Sequence, residues 1–384
     1  MQSEISGLYY QYYRFACDTV RRAEQTMKRE LMQPALDDTQ FIQFNYWDSG
    51  HQGLLSGEAL HFDLKRLEMA YHDNNTRELE MTRHVSLRQL DPQALIAMRL
   101  TGTCTVSIPE WLYDRDCPGH YMRRIKSISM SIPSVVGPYA SVNCTLSLQA
   151  SSLRISPLLA NGAYRRDTSQ DDIRFIDYFG ATDVIVTSGA SNDSGLFETN
   201  LHDERFLPFE GAGAISTWTL TLPGDLRAFD YTTISDVILH IRYTARQAGN
   251  PLGSQATKEL KLAFADVKQS PQTLLLCLKY DFPTEWAAYV NGNGKTPFQA
   301  TIDSSFLPYY VQGMKKVIAF GDVRLFGQNA QGASVTASAP SSSAITGTLL
   351  GAAGATLSLP GTLAAMTPNL DNQIYVLIGY TCSG

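Results

Sequence analysis

No stretch of this 384-residue chain reaches the ~18 consecutive apolar residues that a membrane helix needs. Its first residues also lack the basic, apolar, small-residue order of a secretory signal, so a soluble polypeptide without a signal peptide is expected. The six cysteines (Cys17, Cys104, Cys117, Cys144, Cys277, Cys382) are scattered and form no C-x-x-C pair, so no metal site is expected. Buried free thiols are the reading, and a Cys104–Cys144 or Cys117–Cys144 bridge is the alternative that spacing leaves open. Basic excess is missing as well. The net charge of −6 is spread as −3, −4 and +1 over residues 1–100, 101–250 and 251–384, which makes nucleic acid a poor partner. Charge of either sign then thins out, from 25 Asp, Glu, Lys and Arg in residues 1–100 to 15 in residues 251–384. A charged helical front and a weakly charged β-rich back follow, with ample core for two or three units.

Patterns that would signal catalysis are incomplete. No Ser lies in G-x-S-x-G, and His120, His202 and His240 stand in turn or strand contexts that predict structural roles. Ser191 to Gly195 (SNDSG) matches half of a sialidase Asp-box, but Phe197 and Glu198 replace its Thr and Trp. One broken copy cannot specify repeated blades, so a turn is expected and a sialidase-like hydrolase is the remote alternative. Glu210-Gly211-Ala212-Gly213 lacks the third glycine of a dinucleotide loop and leads into strand-like ISTWTL, so it is read as a close-packed turn.

The front of the chain is helical. Leu8, Tyr12, Ala16, Val20, Ala23, Met27 and Leu31 recur at three- and four-residue steps and predict one long amphipathic helix. This pattern starts almost at residue 1, which suggests a piece of something longer or one product of a split gene. After Pro34 and an aromatic linker, Leu60, Leu64, Leu67 and Tyr71 give a second helix whose face resumes weakly at Leu79, Thr82 and Val85. That narrow face predicts packing against something absent. A third helix is punctuated by Asp91 as N-cap, Pro92 at its first position and Gly102 past its end.

From Thr103 onward strands are expected near 103–108, 123–133, 140–155, 182–188, 214–222 and 235–245. A short helix at Lys258 to Val267 precedes strands near 273–281, 298–303, 314–326, 344–349, 354–359 and 373–381. The fold class is therefore α+β, with N-terminal long helices (1–100) before an antiparallel β-sandwich platform (101–384) divided as 101–250 and 270–384. Asn329 to Ser342 reads as a flexible loop, and Ser156 to Gly180, with seven charges, as a contact surface. Tyr113 to Leu148 reads as a hairpin: Asp114, Asp116, Pro118 and Gly119 supply turn residues, and Gly137-Pro138 separates two strand patterns. Arg123, Arg124 and Lys126, with Arg165 and Arg166, are the basic cluster and the candidate partner-binding residues, as charges on a rim that set register and association rate. Trp111, Trp218 and Trp286 could alternatively form a stacking platform for a carbohydrate or receptor, if exposed.

Taken with its flanks, YDRDCPGHYMRRIKSISMSIPSVVGPYASVNCTLSL resembles the C-terminal, TcB-binding end of the A component (TcA) of bacterial Tc toxin complexes. YYRFACDTVRRAEQTMKREL, SGLFETNLHDERFLPFEGAGAISTW and YDFPTEWAAYVN extend the resemblance over nearly the full chain. It implies a non-enzymatic assembly domain, without cofactor, that docks the B component (TcB) β-propeller at the top of a translocation channel. It also implies a homo-pentamer in the full-length protein, secretion as part of an insecticidal-type toxin, and host-membrane contact only through channel elements outside these residues.

Overall fold

The computed structural model describes residues 2–47, 53–137, 142–188, 196–198, 208–224, 227–267, 272–292, 297–307, 317–328, 334–338, 345–346, 354–359 and 373–383. Helix α1 (Gln2–Leu31) leads through the single turn α2 (Pro34–Asp37) to α3 (Ser56–Asn74). The buried stripe of α1 is Tyr13, Cys17, Glu24, Met27 and Leu31, while Leu8, Tyr12, Ala16 and Ala23 are exposed. The expected face was thus rotated, because Glu24 supplies an inward position that a hydrophobic pattern skips. Its carboxylate accepts hydrogen bonds from the backbone N–H groups of Phe41 and Ile42 at 3.0 and 3.1 Å, which fixes the linker against the helix. Leu60 and Leu67 of α3 complete this core, so the narrow face of the second helix is packed within the chain.

The second helix does not resume at Leu79. Residues Leu79–Ser86 form strand β1, followed by α4 (Leu87–Leu90) and α5 (Pro92–Thr101). Asp91 caps α5 through hydrogen bonds from Gln93 N and Ala94 N, and Gly102 ends it at φ 81°, as its punctuation predicts. Then come β2 (Thr103–Ile108), α6 (Glu110–Asp114), β3 (His120–Ser131), β4 (Val142–Arg154), β5 (Phe175–Ser188), β6 (Leu196–Glu198), β7 (Ile215–Thr221) and β8 (Ile238–Gln247). They form two antiparallel sheets, β1-β8-β3-β6 and β2-β7-β4-β5. One face of each lines a shared core, with rows such as Val85–Leu239–Met130 facing rows such as Val106–Trp218–Leu148. The predicted hairpin is therefore absent: β3 and β4 lie in different sheets.

Helix α7 (Leu252–Val267), longer than the helix predicted at 258–267, leads to a second sandwich. Strands β9 (Gln272–Cys277), β10 (Phe298–Ile302), β11 (Val317–Gln328), β12 (Ser334–Ser338), β13 (Ile345–Thr346), β14 (Ala355–Leu359) and β15 (Tyr375–Ser383) form sheets β12-β11-β15-β9 and β10-β14-β13. Helices α8 (Leu278–Asp281) and α9 (Pro283–Asn291) pack on their common core, so the strand predicted to run to 281 ends at Cys277. Strand β12 occupies part of the tract expected as a loop. On β9 and β15 alternate residues serve different cores: Leu275, Cys277, Tyr375 and Leu377 face the first sandwich, Leu276, Val376 and Ile378 the second. Burial on both faces explains why QTLLLC and YVLIGY read as continuous apolar runs.

Candidate partner-binding face

Strand β3 carries three of the five candidate cations, and a bulge decides where each points. Register shifts between Tyr121 and Arg124, where Met122 adopts φ 54°, so that Met122 and Arg123 both turn inward. Arg123 is 4% exposed and donates to Asp114 Oδ1 at 2.6 Å and to the Cys117 carbonyl at 3.2 Å. Asp114 is likewise buried and also accepts from Tyr164 Oη at 2.5 Å. Neither is the rim or turn residue expected of it. Burial opposes the charge on Arg123, but the Asp114 carboxylate together with Tyr164 and Glu110 outweighs it and holds the guanidinium above its ordinary pKa. Arg154 extends the cluster, donating to both oxygens of Glu110 at 2.7 and 3.0 Å while stacking 4.4 Å from the ring centres of Tyr164 and Phe175.

Arg124 faces outward, toward α1. It donates to Glu78 Oε1 at 2.7 Å, to Glu30 Oε1 at 3.2 Å and to the Glu30 carbonyl at 3.2 Å. Beside it, Arg246 of β8 shares Glu78 Oε1 at 3.0 Å and donates to the Leu31 carbonyl at 2.9 Å. Two guanidinium groups thus cap the C-terminal carbonyls of the long helix, where the helix dipole favours cations. Lys126 bonds Glu80 at 3.1 Å, and Arg242 reaches the same carboxylate at 2.9 Å. Arg165 pairs with Glu259 of α7 at 2.6 Å, and Arg166 grips Asp177 with two nitrogens. These last two therefore share no carboxylate with the β3 cations.

The loop before β5 is anchored by Arg174, which bonds Asp172 and donates to the carbonyls of Ala163 and Arg165 at 2.8 and 2.9 Å. Trp218 and Trp286 are 0% and 2% exposed, which removes them as a stacking platform and leaves Trp111 by itself. Gly213 is the close approach its motif predicts: a Cβ there would stand 2.1 Å from the Ser152 carbonyl oxygen. The half Asp-box (191–195) and His202 lie outside the described residues. Cys17, Cys104, Cys117, Cys144 and Cys277 are free; β7 runs between the strands of Cys104 and Cys144, and burial pushes both of those thiols up to about 12. Among the described residues no cluster of His, Cys, Asp or Glu could hold a metal, and no helix is long and apolar enough to cross a membrane. Sequence reasoning passed over Arg99 of α5 and the small cavity it lines, whose only signal was one cation in an otherwise apolar helix.

A helical pair pinned by arginines to an antiparallel sandwich, followed by a second sandwich, is a mixed α+β architecture. The chain belongs to the family described as the Tc toxin complex TcA C-terminal TcB-binding domain, whose model matches residues 1–245, from α1 into β8. It is 33% identical over 264 residues to toxin subunit YenA2 of Yersinia entomophaga, an alignment covering 67% of this chain and 19% of that subunit. The cryo-EM structure of Yersinia pseudotuberculosis TcaA-TcaB aligns with 64% of this chain and 14% of that one, at 28% identity and a TM-score of 0.44. The chain thus spans well under a quarter of the length of either relative.

Proposed function

We propose that these residues are the non-enzymatic assembly end of a Tc toxin A component, docking the β-propeller of a B component at the top of a translocation channel. The family match over the helical front and the first sandwich carries this reading. The helical front adds support. Ile5, Leu8, Tyr12 and Phe15 of α1 are 62, 56, 74 and 74% exposed and recur at steps of three, four and three. Such a seam is what a helix presents to neighbouring helices of a larger assembly, here the pore-forming part of a homo-pentamer. In this reading the toxin is secreted and insecticidal, and the membrane is met by channel elements elsewhere in the A component.

Mixing the chain with a purified B-component propeller tests the proposal by size-exclusion chromatography and biosensor binding. A complex is expected at micromolar concentration, and its absence there would sink the reading. Lys126, Arg165 and Arg166 remain proposed rim contacts, since Arg123 is buried and Arg124 is committed to α1. Exchanging Arg165 and Arg166 for Glu is expected to slow association and flatten its salt dependence. Unchanged kinetics would remove them from the interface.

A further inference from the structure

Five arginines are buried among the described residues, and four of them bond a carboxylate: Arg123 with Asp114, Arg154 with Glu110, Arg174 with Asp172 and Arg246 with Glu78. Arg99 is the fifth. It is 7% exposed, its Nε is buried without a hydrogen-bond partner, and its guanidinium lies 4.3 Å from the centre of the Tyr375 ring. Stacking on a ring does not supply the counter-charge that a buried cation needs. Burial correspondingly pulls the Arg99 pKa below its ordinary value.

Arg99 lines a cavity of about 90 Å³ between the two sandwiches, together with Arg88, Thr233, Ser235, Tyr280 and Tyr375. The one carboxylate at this cavity, Asp281, is already engaged by Arg88 at 3.3 Å and by the Cys277 N–H at 2.7 Å. Among the lining side chains Arg88 and Arg99 outnumber Asp281 by one charge, with the Asp236 carboxylate also acting on Arg99 from outside the lining, and the space suits a small ion. We propose that this cavity binds one oxyanion of the phosphate or carboxylate class, paired with Arg99. The bound ion would tie α5 of the first sandwich to β9 and β15 of the second. A planar guanidinium suits such a ligand, because two parallel N–H groups match two oxygens of either anion.

The test is calorimetric titration of the full 384-residue chain with inorganic phosphate and, separately, acetate, with chloride at matched ionic strength as control, alongside thermal melts. Saturable binding and a rise in Tm with phosphate or acetate but not chloride are expected, and the arm that saturates identifies the class. Arg99→Met is expected to bind about tenfold more weakly or not at all. Without added anion it should melt at or above the wild-type temperature, because the uncompensated charge is gone. Absence of saturable binding to both anions in the wild type would overturn the proposal, as would equal binding by Arg99→Met. Should the variant fail to fold, the wild-type titration decides alone.

Discussion

The first sandwich buries Arg123, Arg154, Arg174 and Arg246 against carboxylates, whereas the buried described residues of the second are all apolar or aromatic, its tyrosines included. Both are antiparallel and similarly layered, so layering alone does not require the charges. What differs is how position is fixed. A buried ion pair contributes little net stability against a well-packed apolar substitute, yet losing one partner is expensive, so it restricts which arrangement is allowed. The first sandwich carries α1 and lies within the family match; the second is held by volume and lies beyond it.

The largest break in this contrast is expected from Asp114→Ala, which strands the Arg123 guanidinium. A loss of roughly 3–5 kcal/mol should appear in urea denaturation, largely recovered when Arg123→Met is added. In the second sandwich, Phe298→Ala removes a ring packed edge-on between Phe282 and Tyr289. It should cost about 3–5 kcal/mol with no change in the salt dependence of unfolding, since no charge is involved. A salt-dependent loss there would erase the distinction between the two sandwiches. Gly213→Ala, which presses a methyl onto the Ser152 carbonyl, is expected to cost about 1–3 kcal/mol, read as a lowered urea midpoint with an unchanged slope.

The smallest effect concerns His120. Burial, with the Arg123 cation beside it, holds its pKa below the ordinary value, and its Nδ1 has no partner. The unfolded chain therefore takes up the proton first. Stability is constant above about pH 6.5 and declines as pH falls through that value toward the folded pKa. His120→Gln should flatten Tm between about pH 7.5 and 5.5, before most carboxylates titrate. An unchanged profile would assign the decline to other groups.

Helix α5 was legible because Asp91, Pro92 and Gly102 act locally, and the strands were legible where one face is solvated and residues alternate, as in TWTLTL. Strand β1 was not. Its inner row is Met81, Arg83 and Val85, and a charged residue in the core row breaks the alternation, although Arg83 turns to Asp116. The hairpin was misread because neighbouring strand patterns usually pair, and the choice between pairing and crossing is made by the rest of the sheet. The rim assignment failed at Arg123 for a similar reason, since the bulge that inverts it is a property of pairing with β8. Arg99 was marked only by being one cation in an otherwise apolar helix, because its cavity forms where Arg88, Arg99, Thr233, Ser235, Leu275 to Asp281 and Tyr375 converge.

The end of α1 has one further consequence. Arg124 and Arg246 come from adjacent strands and take hold of consecutive carbonyls, those of Glu30 and Leu31. A single grip would leave a pivot about which the shaft could swivel. Two grips on successive residues oppose roll as well as tilt, so torque applied along the 30-residue helix is delivered to the sheet beneath it.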